Sequence, residues 1–94
     1  MRTIYKYEVP FKGRFKLSLP KESVILSFQN QNGVLYIWAI VETAHIEEER
    51  TFRLFATGHP LGNIPKGAGI HYIGTVQQSQ MPALVWHLFE EVKK

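Results

Sequence analysis

Ninety-four residues with 45% hydrophobic and 20% charged side chains make a single domain of ordinary globular composition. There is no cysteine and no aspartate; all eight acids are glutamate. That excludes disulfides, thiolate metal sites and an aspartate dyad. The net charge of +3 and pI near 9.3 suit a small phosphate-bearing partner but fall short of the basic stripe that extended nucleic acid needs. No apolar run approaches the roughly 20 residues of a membrane helix. The opening Met1-Arg-Thr-Ile-Tyr-Lys-Tyr-Glu has no apolar signal core, so a reduced cytosolic protein is expected.

In chain order, the segments are short, rich in β-branched and aromatic residues, and separated by Gly, Pro and Asn. This is a β pattern. Residues 2–9 form the first expected strand, with Tyr5, Tyr7 and Val9 on one face. Residues 14–19 alternate: Phe15, Leu17 and Leu19 turn inward, while Arg14, Lys16 and Ser18 form a wet, basic face. Pro20-Lys21-Glu22 is a turn. Residues 23–31 form a strand with Val24, Leu26 and Phe28 on one face. Asn32-Gly33 is a hairpin signal, because both central residues of a type I′ turn need positive φ. Residues 33–42 are apolar on both faces and call for cover on both sides. That cover comes either from a second subunit or from a small barrel or sandwich within one chain.

Residues 43–49 read as a polar connection. Residues 50–57 form a strand, with Phe52, Leu54 and Ala56 opposite Thr51, Arg53, Phe55 and Thr57. Residues 58–69 form a loop with four of the seven glycines and two prolines. Residues 70–77 and 83–91 are the last strands, with a break at 78–82. The final segment, Leu-Val-Trp-His-Leu-Phe, reads as strand rather than short helix. The expected fold is mainly β, all-β or β-dominated: six or seven antiparallel strands in a sheet, small barrel or sandwich.

The glycine-rich loop from Thr57 could bring backbone amides to an anion, with His59 and Lys66 beside it. Its spacing matches neither a Walker A loop nor a dinucleotide fingerprint. The histidines, His45, His59, His71 and His87, show no close metal-ligand spacing. Serines 18, 23, 27 and 79 lie in no triad context. The reading is therefore non-enzymatic, without cofactor or metal. Aromatics near Arg50 or Arg53 could stack on a base while the arginines meet phosphate.

Several stretches carry a resemblance: Met1-Arg-Thr-Ile-Tyr-Lys-Tyr, Gln29-Asn-Gln-Asn-Gly-Val-Leu-Tyr-Ile-Trp-Ala-Ile-Val, Arg50-Thr-Phe-Arg-Leu-Phe-Ala-Thr-Gly-His-Pro, Tyr72-Ile-Gly-Thr-Val-Gln and Leu84-Val-Trp-His-Leu-Phe-Glu. Together they resemble a family of small phage- and prophage-encoded hypothetical proteins, over nearly the whole chain. The positions carried are Gln29, Trp38, Arg53, Gly58, His59, Tyr72, Thr75, Trp86 and His87. The segment Lys66-Gly-Ala-Gly departs from the pattern. The resemblance implies a phage protein in the bacterial host cytosol. In size and character the chain is also similar to sponge proteins, oligomers that sequester the cyclic nucleotide signals of CBASS or Thoeris defence.

The expected function is sequestration of a small phosphorylated ligand by a dimer or tetramer, with the ligand enclosed between subunits. The alternatives are a protein–protein inhibitor of a host or defence protein and a structural phage component. The expected ligand-binding residues are Gln29, Arg50, Arg53, Thr57, Gly58, His59, Tyr72, Thr75, Trp86 and His87. Arg50 and Arg53 would meet phosphate, with amides near Gly58 and His59 in support. Tyr72 or Trp86 would stack on a base, and Gln29 or Thr75 would read its edge.

Overall fold

The computed structural model describes residues 1–62, 69–80 and 83–92. Among them run seven strands and no helix: β1 (Arg2–Glu8), β2 (Arg14–Pro20), β3 (Val24–Gln31), β4 (Val34–Glu42), β5 (Glu47–Ala56), β6 (Gly69–Gln80) and β7 (Ala83–Val92). They form two antiparallel sheets, β1-β4-β3 and β2-β5-β7-β6. The sheets pack face to face, so the fold is a sandwich and not a closed barrel.

Alternation decides what lies between the sheets. In β4, Leu35, Ile37, Ala39 and Val41 are fully buried. They meet Phe15, Leu19, Phe52, Leu54, Val76 and Leu88 from the other sheet. Phe15 stacks on Phe52 with ring centroids 5.4 Å apart. The other row of β4, including Tyr36, Trp38 and Ile40, is only half-buried. The cover expected on both faces of this strand is therefore supplied on one face by the chain itself.

The Asn32-Gly33 hairpin has both φ angles positive, 54° and 86°, as a type I′ turn requires. The Asn30 side chain accepts the Gly33 amide at 2.8 Å and donates to the Gln77 and Gln78 carbonyls. It thereby ties the hairpin of one sheet to β6 of the other. Gly74 of β6 faces Phe28 of β3 across the same junction.

Three sequence expectations change. The pairing of β3 shifts between Ile25 and Ser27. This bulge puts two residues opposite one and turns Leu26 outward, so Val24 and Leu26 are exposed while Phe28 is buried. Strand β5 begins at Glu47 because β2 pairs with Glu47 to Glu49. The polar residues expected in a connection there are paired at the sheet margin. Strand β6 runs to Gln80, through a second register shift between Gln77 and Ser79, where a break was expected. The last segment is strand, as its composition indicated.

Candidate functional site

The outer face of the four-stranded sheet gathers most of the expected ligand residues. Cross-strand register places Arg14 beside Arg53, Arg53 beside Phe89, and Phe89 beside Tyr72. One step along, it places Phe55 beside His87 and His87 beside Thr75. Directly opposed residues share a face, so three chemically different zones adjoin.

The first zone is charged. Glu91 accepts from Arg53 Nε at 2.6 Å and from Arg14 Nε at 2.9 Å. The two guanidiniums hold its carboxyl well below the usual range, at about 2, with the Arg14 hydrogen bond the largest cause. Arg14 is 54% exposed and Arg53 only 11%. Two cations sharing one carboxylate leave one net positive charge here, and Arg14 is the part that solvent reaches.

The second zone is aromatic. Phe89 lies between Phe55 and Tyr72, edge to face with both, at 5.9 and 5.5 Å between centroids. Tyr72 is 54% exposed and offers a ring to a planar ligand.

The third zone is a hydrogen-bond chain. His87 Nε2 meets Thr57 Oγ1 at 2.8 Å, and His87 Nδ1 meets Thr75 Oγ1 at 3.0 Å. Thr75 Oγ1 in turn meets the Tyr72 hydroxyl. A neutral imidazole has one N–H and one lone pair. The chain therefore runs in one direction at a time, and a proton donor at the Tyr72 end means an acceptor at the Thr57 end. A doubly protonated ring reverses the Thr57 end and makes both ends donors. The chain borders a depression of about 230 Å³ lined by Phe55, Thr57, Gly58, His59, Leu61, His87 and Phe89, among others. That is below the roughly 300 Å³ of a pocket for a whole small molecule. It fits one ring or one phosphoryl group.

Of the other expected site residues, Gly58 and His59 line that depression, and Arg50, Trp86 and Gln29 lie elsewhere. Arg50 is on the inward row with Phe52 and Leu54. It grips Glu90 through Nε and Nη2 and donates Nη1 to the Ser23 carbonyl at 2.6 Å. It ties the two sheets together, its guanidinium engaged by Glu90 and the Ser23 carbonyl. Trp86 is also inward: its Nε1 donates to Gln78 Oε1 at 2.8 Å, and its ring packs on Phe11. Gln29 sits on the three-stranded sheet beside Tyr36, on the opposite side of the molecule. The His59 amide donates to the Ala56 carbonyl, closing a turn over Gly58 at φ 90°, so it is not aimed at an anion. Lys66 lies outside the described residues. His45 donates from Nδ1 to the Lys21 carbonyl, far in the fold from His87. Among the described residues no three metal-ligating side chains converge.

A cleft of about 550 Å³ opens where β5 and β7 part below Phe52 and Glu90. Its walls carry Glu48, Glu49, Glu90 and Glu91 against Arg14 and Arg50. Arg14 pairs with Glu91 and Arg50 with Glu90 within it, and Glu48 and Glu49 add two negative charges on that side. The smaller depression at His87 has no carboxylate in its lining. Sequence reasoning missed Arg14, Phe55 and Phe89. Their signal was the alternation, which sets Arg14 opposite Phe15 and puts Phe55 and Phe89 two residues from Thr57 and His87.

Fold and face together define an all-β sandwich with one polar-aromatic surface on its larger sheet. A domain of unknown function, DUF7352, matches residues 1–94, and the chain belongs to that family. No curated protein and no solved structure matches it.

Proposed function

We propose that this chain is a non-enzymatic binding protein that holds a small phosphorylated ligand with a planar ring on the outer face of the four-stranded sheet. The observation that carries the reading is the continuity of the three zones: Arg14 with Arg53, then Phe89 with Tyr72, then His87 between its two threonines. The ring stacks on Tyr72, a contact worth about 1–3 kcal/mol for a base on an aromatic side chain. Phosphate meets Arg14, the exposed member of the charged zone. The His87 chain reads polar groups on the ring or sugar, as donor or acceptor according to its direction.

Both His87 nitrogens are engaged by threonine hydroxyls. That suits a recognition group held in one orientation better than a free base. Sequestration of a cyclic oligonucleotide immune signal, the role of the sponge proteins that the chain resembles in size and character, is the specific form of this reading. It places the protein in the bacterial host cytosol.

The test is chemical-shift mapping of isotopically labelled protein titrated with AMP and with a cyclic dinucleotide. The expected result is shifts centred on Arg14, Tyr72, Thr75 and His87. Shifts centred on Gln29 and Trp38, or none with either probe, overturn the assignment.

A further inference from the structure

The outer face of the three-stranded sheet is apolar at its centre. Register sets Ile4, Ile40 and Val24 side by side across all three strands. Leu26, turned out by the bulge, and Trp38 lie next to them. Ile4 is 55% exposed, Val24 53% and Leu26 49%. A sheet face that meets water normally carries polar residues on that row. No described element packs over it.

We propose that a second copy of this chain covers the face, the two three-stranded sheets stacking about a twofold axis that lies in the interface and runs across the strands. A twofold interface must be complementary to itself, and the charges of β1 meet that condition. Its outward row reads Arg2, Ile4, Lys6, Glu8. An axis at the level of Tyr5, Ala39 and Ile25 exchanges the ends of the row. Arg2 of each copy then faces Glu8 of the other, at both ends of the apolar centre. Ile40 of each copy meets Trp38 of the other.

The same axis sets Lys6 of each copy against Ile4 of the other, where its alkyl stem joins the apolar centre and its charged head does not. The Lys6 amine sits 4.3 Å from the Tyr36 ring centroid and donates to Gln31 Oε1 at 3.1 Å, which draws it toward the Glu8 end.

The size of the face sets the strength. Three strands spaced about 4.8 Å apart and some nine residues long present roughly 450 Å² per copy. The pair buries about 900 Å², below the roughly 1,200 Å² of stable specific interfaces and in the range of transient ones. The dimer therefore forms and dissociates with concentration. The His87 face lies on the other sheet of each copy, so both ligand faces of the dimer point outward and are not enclosed between subunits.

The experiment is sedimentation equilibrium of the purified full chain over a wide concentration range. The weight-average mass should rise from 10.9 kDa toward twice that value. Leu26→Lys changes an exposed side chain and should hold the protein monomeric without unfolding it, as circular dichroism will show. Glu8→Arg should weaken the dimer by setting it against Arg2, and Arg2→Glu with Glu8→Arg should restore it. A mass of one chain at every concentration overturns the proposal. So does a dimer that Leu26→Lys and Glu8→Arg both leave unchanged.

Discussion

Arg50 and Glu90 form a two-point ion pair at the line where the four-stranded sheet splits, with Nη2 2.7 Å from Oε1. The two side chains are 18% and 16% exposed, and Arg50 spends its third donor on the Ser23 carbonyl. The pair therefore joins β5, β7 and the turn that leads into β3.

Removing one partner leaves a partly buried charge alone. Loss of one member of a buried pair costs about 3–5 kcal/mol, and the residual exposure here reduces that to about 2 kcal/mol. Arg50→Met and Glu90→Gln should each lower the urea midpoint accordingly. Ligand affinity per folded molecule should stay the same. A loss of affinity without a loss of stability would return Arg50 to the binding site.

Glu91 contributes to the acid limb of stability. Its folded value of about 2 lies below the ordinary 4.5. It therefore stabilises the fold fully above 4.5 and loses that contribution as pH falls from 4.5 toward 2. Glu91→Gln should flatten the stability profile in that window. The check is the melting temperature against pH for both proteins. Equal slopes would mean that Arg14 and Arg53 do not favour the carboxylate.

Tyr72→Ala should weaken binding of a base-bearing nucleotide by roughly 5- to 150-fold, the equivalent of one base stack. The exposed ring supports little of the core, so the melting curve should hardly move. Calorimetric titration gives the affinity. An unchanged value would put the ligand's ring elsewhere.

Gly33→Ala places a Cβ at φ 86°, which costs about 1–2 kcal/mol at a left-handed position. The loss should appear in chemical denaturation with ligand binding intact, because the hairpin lies on the smaller sheet.

The strands were legible because alternation on a two-sided scaffold leaves a plain record. Phe15, Leu17 and Leu19 turned inward as their spacing indicated, and Phe52 and Leu54 did the same. The β3 bulge was not legible. Val24, Leu26 and Phe28 alternate perfectly, and only pairing with β4 reveals the extra residue that separates them. The candidate site was half legible. Tyr72, Thr75 and His87 come together because β6 pairs with β7, and Thr57 because β5 pairs with β7. Arg50 shares the parity of Phe52 and Leu54, so its inward position was written in the alternation. Trp86 needed the strand register, since its segment is apolar on both faces.

The central claim is that the protein holds a phosphorylated ligand without turning it over. The most direct measurement mixes the purified protein with a panel of cyclic di- and trinucleotides and ADP-ribose derivatives, removes the protein by filtration, and analyses the filtrate and the heat-released fraction by chromatography. The account predicts that one compound disappears from the filtrate and returns intact on heating, and that Tyr72→Ala leaves more of it in the filtrate. A compound that returns cleaved would contradict the account and make Thr57, with its hydroxyl on His87, a candidate nucleophile. A panel that stays wholly in the filtrate would contradict it as well.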